Sequence, residues 1–281
     1  MEGPVKIATR GSRLALKQFE IVSKELESHG LQSQPVIIKS HGERDTSTPL
    51  YNMKEQGIFV RNLNDQILSG EVVAAVHSAK DIPTEIDPKL EISYFSRRGD
   101  PRDYFVSEVS LEGFSGTVGS SSIRRKNFIH LFNKNAKFEN IRGNIETRIS
   151  KWESGAVDSI VVAKAALDRL GLHPPGEVIS EAVCPPDPNQ GFIAIVTERG
   201  SKIEAFLKLI QEPEPFWEAS MERDLMVRLD LGCNLAASIR AKYSDKTVSF
   251  SFANEVRRFD FSFKDRVEEI DIKKLEDVID S

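Results

Sequence analysis

In the first half of the chain, segments whose apolar positions have the spacing of a helix alternate with short apolar runs of strand length. Apolar side chains recur at helical spacing between Ser12, which can cap a helix, and Gly30, and again between Phe59 and Gly70. Short apolar runs of strand length flank these segments at residues 5–9, 35–39 and 72–78. Strands that alternate with helices predict α/β units with mostly parallel sheets.

The same alternation continues to residue 171 and then changes. Helices are predicted from near Ser122 and around residues 145–154, and a strand followed by a short helix over residues 158–171. After a helix over residues 216–229, three runs alternate strictly between apolar and polar positions, and an acidic helix follows. Because strict alternation is typical of an antiparallel sheet with one buried face, this part predicts a small α+β domain. Breaks in the pattern at 97–103, 184–191 and 211–217 are candidate domain boundaries.

Composition indicates an ordinary globular protein that is large enough for two or three domains. The 281 residues are 40% hydrophobic and 29% charged, and the net charge of −5 disfavours nucleic acid and an acidic membrane surface as partners. No window is apolar enough for a membrane helix, and the N-terminal residues lack the pattern of a secretory signal. Cys184 and Cys233 have no CxxC or metal-ligand spacing, so we expect reduced thiols, no metal site and a cytoplasmic location.

Residues 118–126 (VGSSSIRRK) combine a strand that ends in glycine with a serine-rich helix start. The backbone N–H groups there, the hydroxyls of Ser120, Ser121 and Ser122, and the adjacent Arg124 and Arg125 together form a candidate anion-binding corner. The planar guanidinium of arginine suits a carboxylate or a phosphate. From the spacing alone, a serine-capped helix with surface arginines fits this stretch equally well.

Two more corners of this kind occur at predicted strand ends. Arg142 and Gly143 precede a helix that contains Arg148, and Arg10 precedes a helix capped by Ser12. Open α/β sheets bind ligands at such strand ends. Separate clusters of arginine in an acidic chain favour a small anionic ligand over a polyanion.

Asp81 and Cys233 are the candidate reactive groups. Asp81 follows a buried strand beside Lys80 and Ser78, although a lone aspartate before Ile82-Pro83 is most simply a turn residue. His77, on the apolar strand itself, is interpreted as a hydrogen-bonded core residue. For Cys233, packing, a free surface thiol and a nucleophile all remain open.

Several motifs together resemble those of the porphobilinogen deaminase family, also called hydroxymethylbilane synthases. The resemblance runs from about residue 5 to residue 240, and HSAKDIP and GSSSIRR are highly specific in combination. The motifs are, in chain order, IATRGSRLAL, HSAKDIP, DPRD, GSSSIRR, RGNIETR, NQG and LGCN.

The resemblance implies a reaction, a cofactor and a set of site residues. Members join four porphobilinogen molecules head to tail, release an ammonia each time, and finally free hydroxymethylbilane for tetrapyrrole biosynthesis. They carry a dipyrromethane cofactor on a cysteine thioether, which by motif is Cys233, and the catalytic aspartate falls on Asp81. The cofactor-binding residues implied are Ser78, Lys80, Ser120, Ser122, Arg124, Arg125, Arg142 and Gly143, with Ser121 in the same corner. The substrate-binding residues implied are Arg10, Ser12, Arg148, Arg169 and Gln190.

The resemblance also implies an architecture of two lobes like those of periplasmic binding proteins, joined by two crossovers, with the active site in the cleft between them. The first lobe would cover residues 1–96 and 188–210, the second 97–187, and an α+β domain over 211–281 would present Cys233. The protein would be a monomer that binds neither nucleic acid nor a membrane. An aspartate among arginines is expected to stay ionised, so we expect Asp81 to act mainly by stabilising the cation formed when ammonia leaves.

Some positions depart from the family pattern. The loop 48–59, expected to cover the cleft, has Asn52 and Gln56 where lysines are common, Asn189 stands at a frequent glycine, and Ala236 at a frequent proline. Two alternatives therefore stay open. One is a two-lobed binding protein for a small carboxylate, without catalysis, and the other is an inactive paralogue.

Overall fold

The structure, a computed structural model, describes residues 3–38, 56–231, 236–265 and 267–280, without the side chains of Gln56 and Ile58. The predictions for Cys233 and for residues 48–55 lie outside the described residues. Strands are numbered β1 to β13 and helices α1 to α8 along the described part of the chain. Over these residues, no helix combines the length and the apolar character needed to cross a membrane.

The chain divides into two compact units. Unit 1 consists of Met1–Arg98 and Phe192–Phe216, and unit 2 consists of Gly99–Gly191 and Trp217–Ser281. Unit 2 thus contains both the predicted second lobe and most of the predicted third domain. The division into three domains stays a prediction.

Unit 1 is built on a five-stranded sheet, counted over the described residues, in the order β2-β1-β3-β10-β4. β1 pairs in parallel with β2 and β3, whereas β10 runs antiparallel between β3 and β4. The strands are β1 (Val5–Arg10), β2 (Ser33–Ile38), β3 (Ala74–Ser78), β4 (Leu90–Phe95) and β10 (Ile193–Glu198). The helices of the unit are α1 (Arg13–Ser28), α2 (Gln56–Leu68) and α6 (Lys202–Ile210).

Helix α1 shows how the sequence forms this unit. The Oγ of Ser12 accepts a hydrogen bond from the backbone N of Ala15 at 3.3 Å, which confirms the predicted cap. The apolar face of α1 places Phe19, Val22 and Leu26 in one buried cluster with the strands. Burial of such a face supplies most of the stability of an amphipathic helix.

Unit 2 contains a second five-stranded sheet among its described residues, in the order β7-β6-β8-β5-β9. β6 pairs in parallel with β7 and β8, and β5 runs antiparallel between β8 and β9, so the strand arrangement is that of unit 1. The strands are β5 (Asp103–Val106), β6 (Gly116–Gly119), β7 (Ala136–Glu139), β8 (Ser159–Ala163) and β9 (Gly176–Val178). The helices are α3 (Ile123–Phe132), α4 (Ile145–Glu153) and α5 (Lys164–Leu170).

The C-terminal part of unit 2 is an antiparallel sheet of β11 (Ala237–Lys242), β12 (Thr247–Ala253) and β13 (Arg258–Lys264). The apolar positions of the alternating runs form a buried cluster with α7 (Pro213–Arg228) and α8 (Glu269–Ile279). Phe250 and Leu275, both fully buried, belong to that cluster. The predicted mixed α/β class and the small antiparallel sheet are confirmed. The prediction of mostly parallel sheets is wrong, because β10 in unit 1 and β5 in unit 2 run antiparallel to both of their neighbours.

Candidate functional site

In unit 1, Arg10 lies at the end of β1. β1 and β3 are parallel neighbours, with Ala8 opposite Ala75, so Arg10 reaches the same sheet edge as the end of β3. The Cζ of Arg10 lies 4.4 Å from the ring centroid of Phe59 in α2, and its Nε is buried without a hydrogen-bond acceptor in the described part of the chain. A guanidinium oriented by an aromatic ring, with a donor still available, is suited to bind an anion.

The segment after β3 carries Ser78, Lys80 and Asp81. Ala79–Asp81 form one 3₁₀ turn, and the following Ile82 is 1% exposed, so the turn is fixed by a buried side chain. The Oγ of Ser78 accepts a hydrogen bond from Gln18 Nε2 at 2.7 Å. Asp81 itself is exposed, which leaves its carboxylate on the accessible side of the turn.

His77 is confirmed as a core residue. Its Nε2 lies 3.0 Å from Asn64 Oδ1, and the side chain is buried. Burial and the positive charge of Arg10 lower its pKa to about 3. The imidazole of His77 is therefore neutral at physiological pH.

In unit 2, two of the predicted corners form one continuous surface. Ser120 N donates to Glu139 O at 2.8 Å, and Ser121 Oγ donates to Ile141 O at 2.7 Å, which joins the end of β6 to the loop after β7. Ser122 caps α3, because its Oγ accepts from Arg125 N at 3.4 Å. The start of α3 therefore lies beside the loop that carries Arg142 and Gly143.

That loop depends on Gly143. Its φ is +110°, and a Cβ at this position would lie 2.6 Å from Thr147 Cγ2, so only glycine fits without strain. Asn144 then caps α4 by accepting from Thr147 N at 2.8 Å. Arg148, in the first turn of α4, donates from Nε to Gly143 O at 2.9 Å, which keeps its side chain against the loop.

Arg124 and Arg125 have different surroundings, although both are buried. Arg124 Nη2 donates to Asp103 Oδ2 at 2.7 Å, its Nε donates to Asp187 Oδ1 at 2.7 Å, and its Nη1 donates to Pro185 O. Arg125 donates from Nη2 to Asp103 Oδ1 at 2.7 Å and from Nη1 to Val161 O at 3.0 Å. The Nε of Arg125 is buried with no acceptor among the described residues.

Gln190 lies at the end of the segment Gly99–Gly191, and Arg169, in α5, contacts the last residue of that segment. Gln190 is 1% exposed and donates from Nε2 to Pro101 O at 2.6 Å and to Asp103 Oδ1 at 2.9 Å. Arg169 Nη2 donates to Gly191 O at 2.5 Å, and burial lowers its pKa to about 10. Both side chains are therefore engaged by the protein.

Each unit thus gathers part of the predicted set. Unit 1 places Arg10, Ser12, Ser78, Lys80 and Asp81 at strand ends of its sheet, and unit 2 does the same with the serine and arginine residues. Sequence reasoning missed Phe59 and Asp103. Asp103 is the last residue of the motif DPRD, and Phe59 is the last residue of the segment 48–59 that was singled out in the sequence. Membership of these two segments was the available signal for both residues.

The model of the family described as "Porphobilinogen deaminase, dipyromethane cofactor binding domain" matches residues 5–204. A probable porphobilinogen deaminase of Thermoplasma volcanium is 41% identical, over 86% of this chain and 82% of that protein. The porphobilinogen deaminase of Rubrobacter xylanophilus is 35% identical, over 86% of this chain and 81% of that protein. The chain belongs to the porphobilinogen deaminase family. Porphobilinogen deaminase is a transferase, hydroxymethylbilane synthase, of tetrapyrrole biosynthesis, so the enzyme class expected from the sequence is confirmed, and residues 5–204 match a domain that binds dipyrromethane.

Solved structures of binding proteins are more distant from this chain. The methionine-binding protein MetQ has a TM-score of 0.44 at 13% identity, over 78% of this chain and 94% of that chain. An ancestral cationic amino acid solute-binding protein has a TM-score of 0.42 at 12% identity, over 74% of this chain and 88% of that chain. Likeness at this level carries no argument about function.

Proposed function

We propose that the chain joins four porphobilinogen molecules into hydroxymethylbilane, with Asp81 as the catalytic group and a dipyrromethane cofactor on Cys233. The observation that carries the proposal is the surface of unit 2 at the starts of α3 and α4. There the buried Nε of Arg125 has no acceptor among the residues that the structure describes, and the start of α3 is capped by a serine and that of α4 by an asparagine. Such a surface is suited to carboxylates.

The residues present fit a dipyrromethane group. Each of its pyrrole rings carries an acetate and a propionate, so it needs several cationic or N–H donors. Unit 2 supplies Arg125, Arg142 and Arg148 together with the N–H groups at the two helix starts. Gly143 permits a ligand to approach the backbone, because it has no side chain and is exposed. When bound, the group supplies the free pyrrole carbon to which the first substrate molecule is joined.

Attachment through Cys233 is supported by its place in the sequence. It follows α7, whose last turn leads to the buried Leu229 and Leu231, and it stands in the motif LGCN that the family uses for a thioether. The other cysteine, Cys184, is fully buried, and burial raises the pKa of its thiol to about 12. Cys184 is therefore a poor nucleophile, since the thiolate is the reactive form.

The role proposed for Asp81 is electrostatic. In each cycle the bond between the aminomethyl carbon of porphobilinogen and its nitrogen breaks, and ammonia leaves with the electron pair. A new carbon–carbon bond then forms at the pyrrole carbon of the growing chain, and that carbon loses its proton. The carboxylate of Asp81 can accept hydrogen bonds from pyrrole N–H groups and stabilise the cation left by the departing ammonia. Arg10 would bind a substrate carboxylate at the same sheet edge.

Intact mass spectrometry tests the proposal. The protein is purified from cells that make porphobilinogen, and its mass is compared with that of the sequence. We expect an increase equal to two linked pyrrole units in the wild type, its absence in Cys233→Ser, and release of ammonia and hydroxymethylbilane by the wild type alone. An unmodified wild-type chain without turnover contradicts the proposal, and carboxylate binding without turnover would support a binding protein instead.

The proposal includes a cytoplasmic location and a monomeric state. The sequence supports the first through its lack of a disulfide framework. Size-exclusion chromatography with light scattering measures the second, and a stable dimer would contradict it.

A further inference from the structure

Asp103, the first residue of β5, is a buried carboxylate at the centre of the arginine cluster. Its side chain is 0% exposed, and its two oxygens accept hydrogen bonds from Arg124, Arg125 and Gln190. The Sγ of Cys184 lies 3.7 Å from Oδ2. Burial alone would raise the pKa of Asp103, but Arg124 and Arg125 outweigh it and lower the pKa to about 2. The carboxylate is therefore charged at physiological pH.

Arg124 is directed into the protein. Each of its three guanidinium nitrogens donates to a protein oxygen, from Asp103, Asp187 or Pro185, and its side chain is 2% exposed. An arginine in this state neutralises buried carboxylates. It is poorly placed to bind a ligand at the same time.

Arg125 is held by the same carboxylate but keeps a donor. Asp103 Oδ1 and Val161 O fix the two terminal nitrogens, while Nε remains buried without an acceptor among the described residues. A buried donor without an acceptor is unfavourable until an acceptor arrives. Because Asp103 Oδ1 also accepts from Gln190, one oxygen sets the orientation of two residues that the family resemblance assigns to ligands.

We infer that Asp103 is a positioning residue that orients Arg125 toward the dipyrromethane carboxylates, and that Arg124 serves as its internal counter-charge. This inference rests on the proposed function. The inference assigns different roles to Arg124 and Arg125, which the sequence alone does not distinguish. It also gives Asp103, the last residue of the motif DPRD, a part in cofactor binding without direct contact with the cofactor.

Loading of unloaded protein tests the inference. Wild type and Asp103→Asn are purified from cells that cannot make porphobilinogen, then incubated with porphobilinogen and followed by intact mass. In Asp103→Asn an amide N–H₂ faces guanidinium donors, so both arginines lose a charged acceptor. We expect the porphobilinogen concentration for half-maximal loading to rise about tenfold or more. The final loaded fraction should stay near that of the wild type.

A matched control and a double variant separate positioning from stability. Asp158→Asn removes a carboxylate that accepts from Thr117 N at 2.7 Å at the other end of β6, and should leave the half-maximal concentration unchanged. Asp103→Asn combined with Arg124→Gln removes both buried charges. We expect it to regain thermal stability relative to Asp103→Asn but to keep the loading defect.

The possible results distinguish a positioning role of Asp103 from simple neutralisation of Arg124, and both from a failure of the proposed function. If the double variant regains loading together with stability, Asp103 merely neutralises Arg124 and the inference is wrong. If Asp103→Asn loads at the wild-type concentration, the inference is also wrong, whereas the proposed function stands because the wild type loads. Failure of the wild type to gain mass overturns the proposed function itself. Should Asp103→Asn not fold, Asp103→Glu provides the test, because it keeps the charge but displaces both guanidinium groups, and its loading should be intermediate.

Discussion

The guanidinium of Arg10 lies over the ring of Phe59, with 4.4 Å between Cζ and the ring centroid. Arg10 ends β1 and Phe59 lies in the first turn of α2, so the contact links the sheet edge of unit 1 to the start of that helix. The ring orients a cation whose Nε has no protein acceptor among the described residues. We expect Phe59 to contribute to substrate affinity through Arg10.

Replacement of this ring should affect KM more than kcat. Phe59→Leu removes the cation–π contact, worth ~0.5–1 kcal/mol at such a site, and should raise the KM for porphobilinogen by about 2- to 5-fold. Steady-state kinetics measure the effect. Phe59→Tyr keeps the aromatic face and should stay near the wild type, and an equal rise in both variants would contradict a role for the ring.

Asp81 offers a test of charge against shape. Asp81→Asn keeps the size of the side chain but loses the charge, and should lower kcat by about 10²- to 10³-fold if the carboxylate stabilises a developing cation. Asp81→Glu keeps the charge and should retain clearly more turnover. Single-turnover assays of ammonia release on loaded protein give the comparison. Similar rates in the two variants would show that the charge is not what matters.

Gly143 should tolerate no side chain. Gly143→Ala combines a positive φ with a Cβ that would lie 2.6 Å from Thr147 Cγ2. We expect a loss of about 2–3 kcal/mol in the free energy of unfolding, measured by urea denaturation. Gly155, with φ +73° and open space around it, is the matched control, and Gly155→Ala should cost only about 1 kcal/mol. Equal losses at the two glycines would mean that crowding by Thr147 has no effect.

The buried thiol of Cys184 should be unreactive in the folded protein. Burial raises its pKa to about 12, so almost no thiolate exists at pH 8. In the Cys233→Ser variant, iodoacetamide at pH 8 should leave the native chain unmodified and add one group after denaturation, as read by mass spectrometry. Rapid native alkylation would contradict the described burial.

Asp103 should make stability depend on acid pH. Its pKa is about 2 in the folded chain against an ordinary value of 3.8, so its contribution is fully present above about pH 4 and is lost as the pH falls through 2. The linked contribution is about 2 kcal/mol, of which about half is gone at pH 3. Urea unfolding at pH 7, 5 and 3 should therefore show the gap between wild type and Asp103→Asn narrowing at pH 3. A constant gap would mean that the carboxylate is not stabilised by the arginines.

Local sequence patterns were sufficient for elements whose apolar faces are continuous. The Ser12 cap, the spacing in α1 and the alternation in β11, β12 and β13 each depend on neighbouring residues, and the structure places these elements as predicted. β4, β5, β9 and β10 were not predicted: β9 has only three residues, and β4, β5 and β10 form antiparallel pairs with strands that are distant in sequence. β10 has a clear apolar run, but its antiparallel place between β3 and β4 depends on partners about a hundred residues away.

The difference between local patterns and contacts with distant residues also applies to the candidate site. The sequence placed arginines at strand ends but could not tell Arg124 from Arg125, because their surroundings are set by Asp103 and by residues from 185 to 187. Asn189 is a similar case. It adopts φ +59° where glycine is frequent, and its Nδ2 donates to Ala219 O at 3.0 Å while its backbone N donates to Glu222 Oε2 at 2.6 Å. The helix that contains these acceptors compensates for the residue change, and no local pattern reveals that.

The order of strands in unit 1 also bears on how the protein is synthesised. Within the described sheet, β4 lies at an edge and its neighbour is β10, which the ribosome produces about a hundred residues later. Once the nascent chain has emerged from the ribosome as far as residue 191, it can form the five described strands of the unit 2 sheet, while β4 still has no strand to pair with. Domains of large proteins commonly fold in the order in which they emerge. In this protein the order is reversed. Unit 1 begins at the N-terminus, but its sheet can be completed only after all strands of the α/β sheet of unit 2 have been synthesised.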